Sequence, residues 1–257
     1  MNGRYLEDAN GKPFLLHGDT AWSVIVQLTK EEAEEYLEDR RQKGFNAILV
    51  NLTYVNEAYY EDTRLVPGAG TPALLRAQAY WALLSGAAGH LFGSDRVWAF
   101  GAHVDGKPDA PQYDWRAGME SQGSRDMVHV KRLFESRAWH ELVPDQDHTV
   151  VTNGYGTFEE DDRKPGGDYV TAARTGDGSL VMAYVPSTGT ESRTITVNMT
   201  SLSGAANARW YNPTSGKFSG IPGSPLANSG SREFTTPGDN GTGTNDWVLV
   251  LETRAAD

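Results

Sequence analysis

The pattern of apolar and polar positions changes character along the chain. Residues 14–16 form a short apolar run after Asn10-Gly-Lys-Pro13, a turn signal. That run predicts a buried strand stopping on His17, Gly18, Asp19 and Trp22. Thr29 with Glu32 three residues on is a capping box, so a helix starts there. Its early turns carry Glu31, Glu32, Glu34 and Glu35, and its last turn Arg40, Arg41 and Lys43. This order complements the helix dipole and reads as a solvated face. Ala33, Tyr36 and Leu37 supply the inward stripe, and Gly44 is the natural residue just past the end. The continuous apolar run 45–52 predicts a strand buried on both sides. Strand, helix and strand at this spacing make a βαβ unit.

Beyond it the pattern compresses. Residues 53–62 are rich in aromatics and acids, and Pro67-Gly68 breaks the chain. Thr71-Pro72 opens a second helix, with Leu74, Leu75, Tyr80, Trp81, Leu83 and Leu84 on its apolar side and an end at Gly86. Residues 90–98 read as another strand with its loop. A third helix is expected over 124–134, with Met127, Val130, Leu133 and Phe134 facing inward. From Thr149 onward the helical period disappears. Short strands are expected at 169–174, 180–185, 194–198, 208–211, 232–234 and 247–251, with Gly176-Asp-Gly178 as a hairpin turn. Such punctuation predicts an antiparallel β-sandwich. The chain thus divides into an α/β part, 1–145, and an all-β part, 146–257.

Bulk properties restrict the chemistry. The 257 residues are 39% hydrophobic and 10% aromatic, enough for real cores. A net charge of −11 disfavours nucleic acid as a partner, because phosphates need a basic face. There is no cysteine, which excludes disulfides, thiolate metal sites and a cysteine nucleophile. No apolar run is long enough to cross a bilayer, so no membrane partner is expected. The six histidines include no His-x-x-x-His pair, Gly-x-Ser-x-Gly is absent, and no phosphate-binding loop occurs. No cofactor and no metal are expected. Asp105-Gly-Lys-Pro-Asp109 and Asp239-Asn-Gly-Thr-Gly243 lack EF-hand spacing and read as turns. An apolar strand ending in a histidine, a carboxylate and an aromatic suits the mouth of a (β/α) barrel. Asp19 and Thr20 would serve equally well to cap the strand-helix loop.

The runs Gly3-Arg-Tyr-Leu-Glu-Asp8, Gly11-Lys-Pro-Phe14, His17-Gly-Asp-Thr-Ala-Trp22 and Lys43-Gly-Phe-Asn46 resemble the N-terminus of the apiosidase-like glycoside hydrolases. Gln78 to His90 with Val97-Trp98 resembles that family's last helix-strand pair. Glu141-Leu-Val-Pro-Asp-Gln146, Ala208-Arg-Trp-Tyr-Asn-Pro213 and Asp246-Trp-Val-Leu-Val-Leu-Glu252 resemble its linker and C-terminal β-domain. That domain carries the inherited label "collagen-binding", although nothing in these strands indicates collagen. The resemblance implies a TIM-barrel hydrolase of which only strands resembling the first, second, seventh and eighth are present. A full barrel takes about 250 residues by itself. The expected fold is therefore a partial or compacted barrel followed by a β-sandwich.

The resemblance also implies function. Hydrolysis of plant-type glycans ordinarily uses two carboxylates. Glu57 resembles one of the family's catalytic acids, and Asp19 is the residue offered beside it. The family's acid from a middle barrel strand has no matching position, unless Asp19, Glu61 or Asp95 substitutes. His17, Trp22, Asn51, Tyr59, Tyr60, His90 and Trp98 are the substrate-binding residues expected by resemblance. Tyr59, Tyr60 and Trp81 suit core positions as readily. A non-catalytic carbohydrate-binding or structural protein is the alternative. An open half-barrel leaves strand edges and an apolar interior to cover, by a homodimer or by residues 54–67 and the β-domain. Family resemblance further implies a secreted or periplasmic bacterial protein.

Overall fold

A computed structural model describes residues 4–22, 24–50, 71–98, 100, 114–158, 160–161, 164–165, 167–186 and 189–253. Strands β1 (Leu6–Glu7) and β2 (Pro13–Phe14) pair antiparallel around the Asn10-Gly11 turn. β3 (Leu16–Thr20) follows at once and carries His17, Gly18 and Asp19, on which the expected first strand stops. After the short α1 (Val24–Gln27), α2 (Lys30–Gln42) forms where its capping box places it. Thr29 Oγ1 accepts from Glu32 N at 3.2 Å, and Glu32 Oε2 accepts from Thr29 N at 3.0 Å. Gly44 takes φ +84° just past the end, a left-handed value that favours glycine. Replacing Thr29 with alanine removes one partner of the box and should cost about 1 kcal/mol. Urea unfolding of Thr29→Ala beside wild type reads this directly; an unchanged midpoint would show the cap to be unimportant.

The inward stripe of α2 differs from the expected one. Tyr36 is fully buried, but Leu37 is 47% exposed, because the buried line continues four residues on to Arg40. Arg40 belongs to the basic last turn that reads as solvated, yet it is 1% exposed. β4 (Ala47–Leu49) is shorter than the run 45–52 and is not enclosed, with Leu49 45% exposed. Helix α3 (Pro72–Leu84) leads into β5 (Gly89–Phe92). β3 lies between β4 and β5, parallel to both. Backbones approach closely here: a Cβ on Gly89 would sit 2.1 Å from Leu16 O, so only glycine fits. Residues 95–98 form a helical turn, α4 (Asp95–Trp98), where a loop was expected. α5 (Trp115–Met119) and α6 (Gln122–Glu135) follow, and Met127, Val130, Leu133 and Phe134 of α6 all face inward as the period predicts.

The second half is antiparallel. β6 (Leu142–Pro144) and β7 (Val151–Asn153) come first, then the two-residue pair β8 (Glu160–Asp161) and β9 (Lys164–Pro165). β10 (Thr171–Thr175), β11 (Leu180–Val185), β12 (Thr194–Asn198) and β13 (Asn207–Tyr211) fall close to the expected places. β14 (Phe218–Gly220), β15 (Ser231–Thr235) and β16 (Trp247–Glu252) complete the set. One six-stranded sheet runs β14-β13-β16-β11-β10-β6, and a three-stranded sheet runs β15-β12-β7. The hairpin at 176–179 closes with Gly178 N donating to Thr175 O at 3.0 Å.

Alternation along β11 and β16 explains how the halves join. Val181, Ala183, Val185, Leu249 and Leu251 pack with Ile195, Val197 and Phe234 of the smaller sheet. Their neighbours Leu180, Met182, Tyr184, Val248 and Val250 face the other way, into a core with Ala77, Tyr80 and Leu84 of α3 and Met127, Val130 and Phe134 of α6. Both strands are therefore buried on both faces. Strands with one wet face would alternate; these do not, because helices cover the second face.

A buried ionic cluster fastens that junction. Arg76 of α3 donates from Nε and Nη2 to the two carboxylate oxygens of Asp246, at 2.9 and 2.8 Å, and from Nη1 to Asp126 of α6 at 2.6 Å. Tyr184 Oη and Asn240 Nδ2 also donate to Asp246, at 3.1 and 2.7 Å. Arg76 and both carboxylates are 0–1% exposed.

Candidate functional site

Three of the residues expected at the site, His17, Asp19 and His90, lie on β3 and β5, and β3 runs between β4 and β5. Register places Asp19 opposite Ile48 and Phe92, and His17 opposite His90. Asn46 sets the start of this ladder. Its Oδ1 accepts from His17 N at 2.9 Å, its Nδ2 donates to Leu15 O at 2.8 Å, and its own N donates to His17 O at 2.8 Å. An asparagine opening an apolar run was the available signal for this role.

Asp19 is fully buried. Its Oδ2 accepts from Tyr36 Oη at 2.9 Å and from Arg40 Nη1 at 3.2 Å, and its Oδ1 accepts from Thr20 N at 2.7 Å. Arg40 also donates to Ser124 Oγ at 2.9 Å and Met119 O at 3.0 Å. The guanidinium lies 5.1 Å from the Phe45 ring centroid. Burial pushes the Asp19 carboxyl up, while the Arg40 charge and the Tyr36 and Thr20 hydrogen bonds pull it back. A carboxylate held this way fixes a strand end better than it exchanges protons with a ligand. Tyr36, Arg40 and Ser124 were not among the residues expected at the site.

The two imidazoles lie beneath. His17 is 1% exposed, stacks on Phe45 at 4.6 Å and meets His90 edge-on at 5.4 Å. Nε2 of each ring is buried without a hydrogen-bond partner among the described residues. Burial, the neighbouring His90 and the Lys131 charge lower His17 to about 3; burial lowers His90 to about 4. Both therefore stay neutral in the folded protein, whereas an unfolded histidine protonates near 6.5.

A folded-state value below the unfolded one means that stability is present above about pH 6.5 and is lost as pH falls toward 4. Each ring should remove roughly 1.4 kcal/mol per pH unit across that window. Urea midpoints for His17→Phe, measured between pH 7 and 5, should fall less steeply than those of wild type. An identical slope would mean that His17 is not held neutral.

Trp22 is half-buried two residues beyond β3. Trp98 ends α4, but its side chain, like Asn51, Glu57, Tyr59 and Tyr60 in their entirety, lies outside the described residues. So does the turn expected at 105–109. Of the expected site residues, the structure brings together Asp19, His17 and His90 at the β3–β5 pairing. Among the described residues no group of three or more His, Cys, Asp or Glu side chains could hold a metal ion. In the other turn considered for calcium, Asp239 Oδ1 accepts from Gly241 N at 2.6 Å and Gly243 N at 3.1 Å. No described helix is long and apolar enough to cross a membrane.

Two solved structures share this fold. One, titled a glycoside hydrolase, is 17% identical, with TM-score 0.72, covering 99% of this chain and 96% of that one. The other, a family 5 glycoside hydrolase from Bacteroides vulgatus, is 16% identical, with TM-score 0.74, covering 99% and 93%. No curated protein matches the chain. The family model "Apiosidase-like, catalytic domain" matches residues 1–65 and 53–141, and "Putative collagen-binding domain of a collagenase" matches 143–252. The chain belongs to the apiosidase-like catalytic-domain family, joined to a C-terminal domain of that second family.

Proposed function

We propose that this protein is a glycoside hydrolase acting on plant-type glycans at the C-terminal end of strands β3, β4 and β5. The carrying observation is the Asp19–Arg40–Tyr36 cluster, which fixes the end of β3 within the run that resembles the family's N-terminus. In this reading β3, β4 and β5 correspond to the first, second and eighth strands of a compacted barrel, and the segment around Glu57 to the seventh. Glu57 is the carboxylate that donates or accepts the proton at the scissile bond, or attacks the anomeric carbon. Asp19 is a positioning residue. His17 and His90 form a neutral floor, Trp22 and Trp98 offer faces for a sugar ring, and Asn51, Tyr59 and Tyr60 supply further contacts.

A second reading has its own support. Asp19 is fully occupied by Arg40, Tyr36 and Thr20, which leaves Glu57 as the one assigned carboxylate where hydrolysis ordinarily uses two. The protein would then bind carbohydrate without cleaving it. Incubation with nitrophenyl glycosides and plant polysaccharides separates the two: released sugar supports the hydrolase, and saturable binding without product supports the binding protein. A secreted or periplasmic location is part of the same proposal, as is a homodimer. Leu49 and Leu91, on the two outer parallel strands, are 45% and 41% exposed, apolar surface that a second copy, or residues 54–67 with the β-domain, would cover. Light scattering at the monomer mass would remove the dimer.

A further inference from the structure

An open cavity of about 300 Å³ lies apart from the strand ends and shares no lining residue with them. Four segments build it: Arg4 and Tyr5 from the N-terminal stretch, His140 and Glu141 from the helical turn Trp139–Glu141, Val143 of β6, and Asp177 in the β10–β11 hairpin turn. It therefore spans the seam between the two parts of the chain. Arg4 is anchored there, since Nη2 donates to Leu142 O at 2.6 Å through one of the several N–H donors that a guanidinium carries. Asp177 is anchored too, its Oδ1 accepting from Ser179 N at 2.9 Å and Ser179 Oγ at 2.7 Å. Tyr5 meets His140 edge-on at 5.1 Å, and His140 Nε2 lies 3.9 Å from Glu141 Oε1.

We infer that this cavity is a second carbohydrate-binding site, taking a neutral sugar ring of the glycan; the choice of glycan rests on the hydrolase reading above. The two carboxylates disfavour an anionic ligand, and the Arg4 guanidinium offsets one of them, which leaves no concentrated charge for a cation to meet. Val143 is the one aliphatic side chain in the lining, too little for an apolar ligand. A guanidinium offers donors, carboxylates offer acceptors, and an imidazole offers both. A sugar hydroxyl both donates and accepts, so a polyhydroxylated ring matches the mixed set. The Tyr5 phenol ring adds an amphipathic surface of the kind that sugars contact. Binding here would hold a polymer against the protein at a place other than the reacting bond.

Affinity electrophoresis through gels containing xyloglucan, galactomannan or arabinan tests this with the full chain. Wild type should be retarded by at least one polysaccharide. The double variant Arg4→Gln/Glu141→Gln, and separately Tyr5→Leu, should bind it at least about tenfold more weakly. Turnover of small nitrophenyl glycosides should stay at the wild-type level. Tyr5 packs against the core, so the polar double variant decides the matter if Tyr5→Leu lowers the thermal midpoint. Unretarded wild type, or full retardation of the double variant, overturns the inference. Retardation without turnover sinks the hydrolase reading alone, and turnover without retardation sinks this site alone.

Discussion

Glu57→Gln should lower kcat on nitrophenyl glycosides by about 10²- to 10⁴-fold, with the thermal midpoint unchanged. The amide keeps the shape of the carboxyl but can neither give nor take the proton, nor attack the anomeric carbon. An interaction made only in the transition state lowers kcat and kcat/KM together. The leaving group separates the acid role of Glu57 from the nucleophile role. If it is the acid, glycosides with good leaving groups should be hurt least, because they need little protonation. If it is the nucleophile, all should be slowed alike in the first step. Turnover equal to wild type would remove Glu57 from the mechanism.

Arg76→Met should destabilise the protein by about 3–5 kcal/mol, the cost of leaving buried charge unpaired. Methionine fills much of the space between α3 and α6, so lost volume is a minor part. The major part is that Asp126 and Asp246 lose the guanidinium that both share. Asp126 already sits at about 6, pushed up by burial against the opposing pull of Arg76. Without Arg76 it should rise further. A carboxyl whose folded value exceeds its unfolded one costs stability as pH rises through the folded value. The variant should therefore be hurt more at pH 8 than at pH 5, by urea unfolding. A loss below about 1 kcal/mol at pH 8 would mean that the cluster does not fasten the junction.

The Asp19–Arg40 and Arg76–Asp246 clusters mark where the sequence stops being readable. The capping box at Thr29, the inward face of α6 and the runs that became β11 and β16 carry local signals, and the structure has them close to the expected places. The burial of Arg40 and Arg76 has no local signal. Arg40 reads as solvated because helix-end cations usually are, and only folding brings Asp19 of β3 against it. Arg76 interrupts an apolar stripe, and its main partner, Asp246, lies 170 positions away. The strands β6 and β14 were also missed: each is three residues long, β14 is exposed throughout and β6 buries only Leu142, which leaves no period to read. Family resemblance pointed to Asp19, His17 and His90, and nothing in it pointed to the enclosure of Asp19 by Tyr36 and Arg40. That enclosure is why the reading proposed above gives Asp19 a positioning role and Glu57 the proton or the attack.

The most direct test of the hydrolase reading watches the glycosidic bond itself. Proton NMR of wild type with a nitrophenyl glycoside should show a new anomeric signal of a single configuration growing with time, absent with Glu57→Gln. A spectrum that changes only by saturable broadening of the ligand lines, with no new anomeric proton, would contradict it.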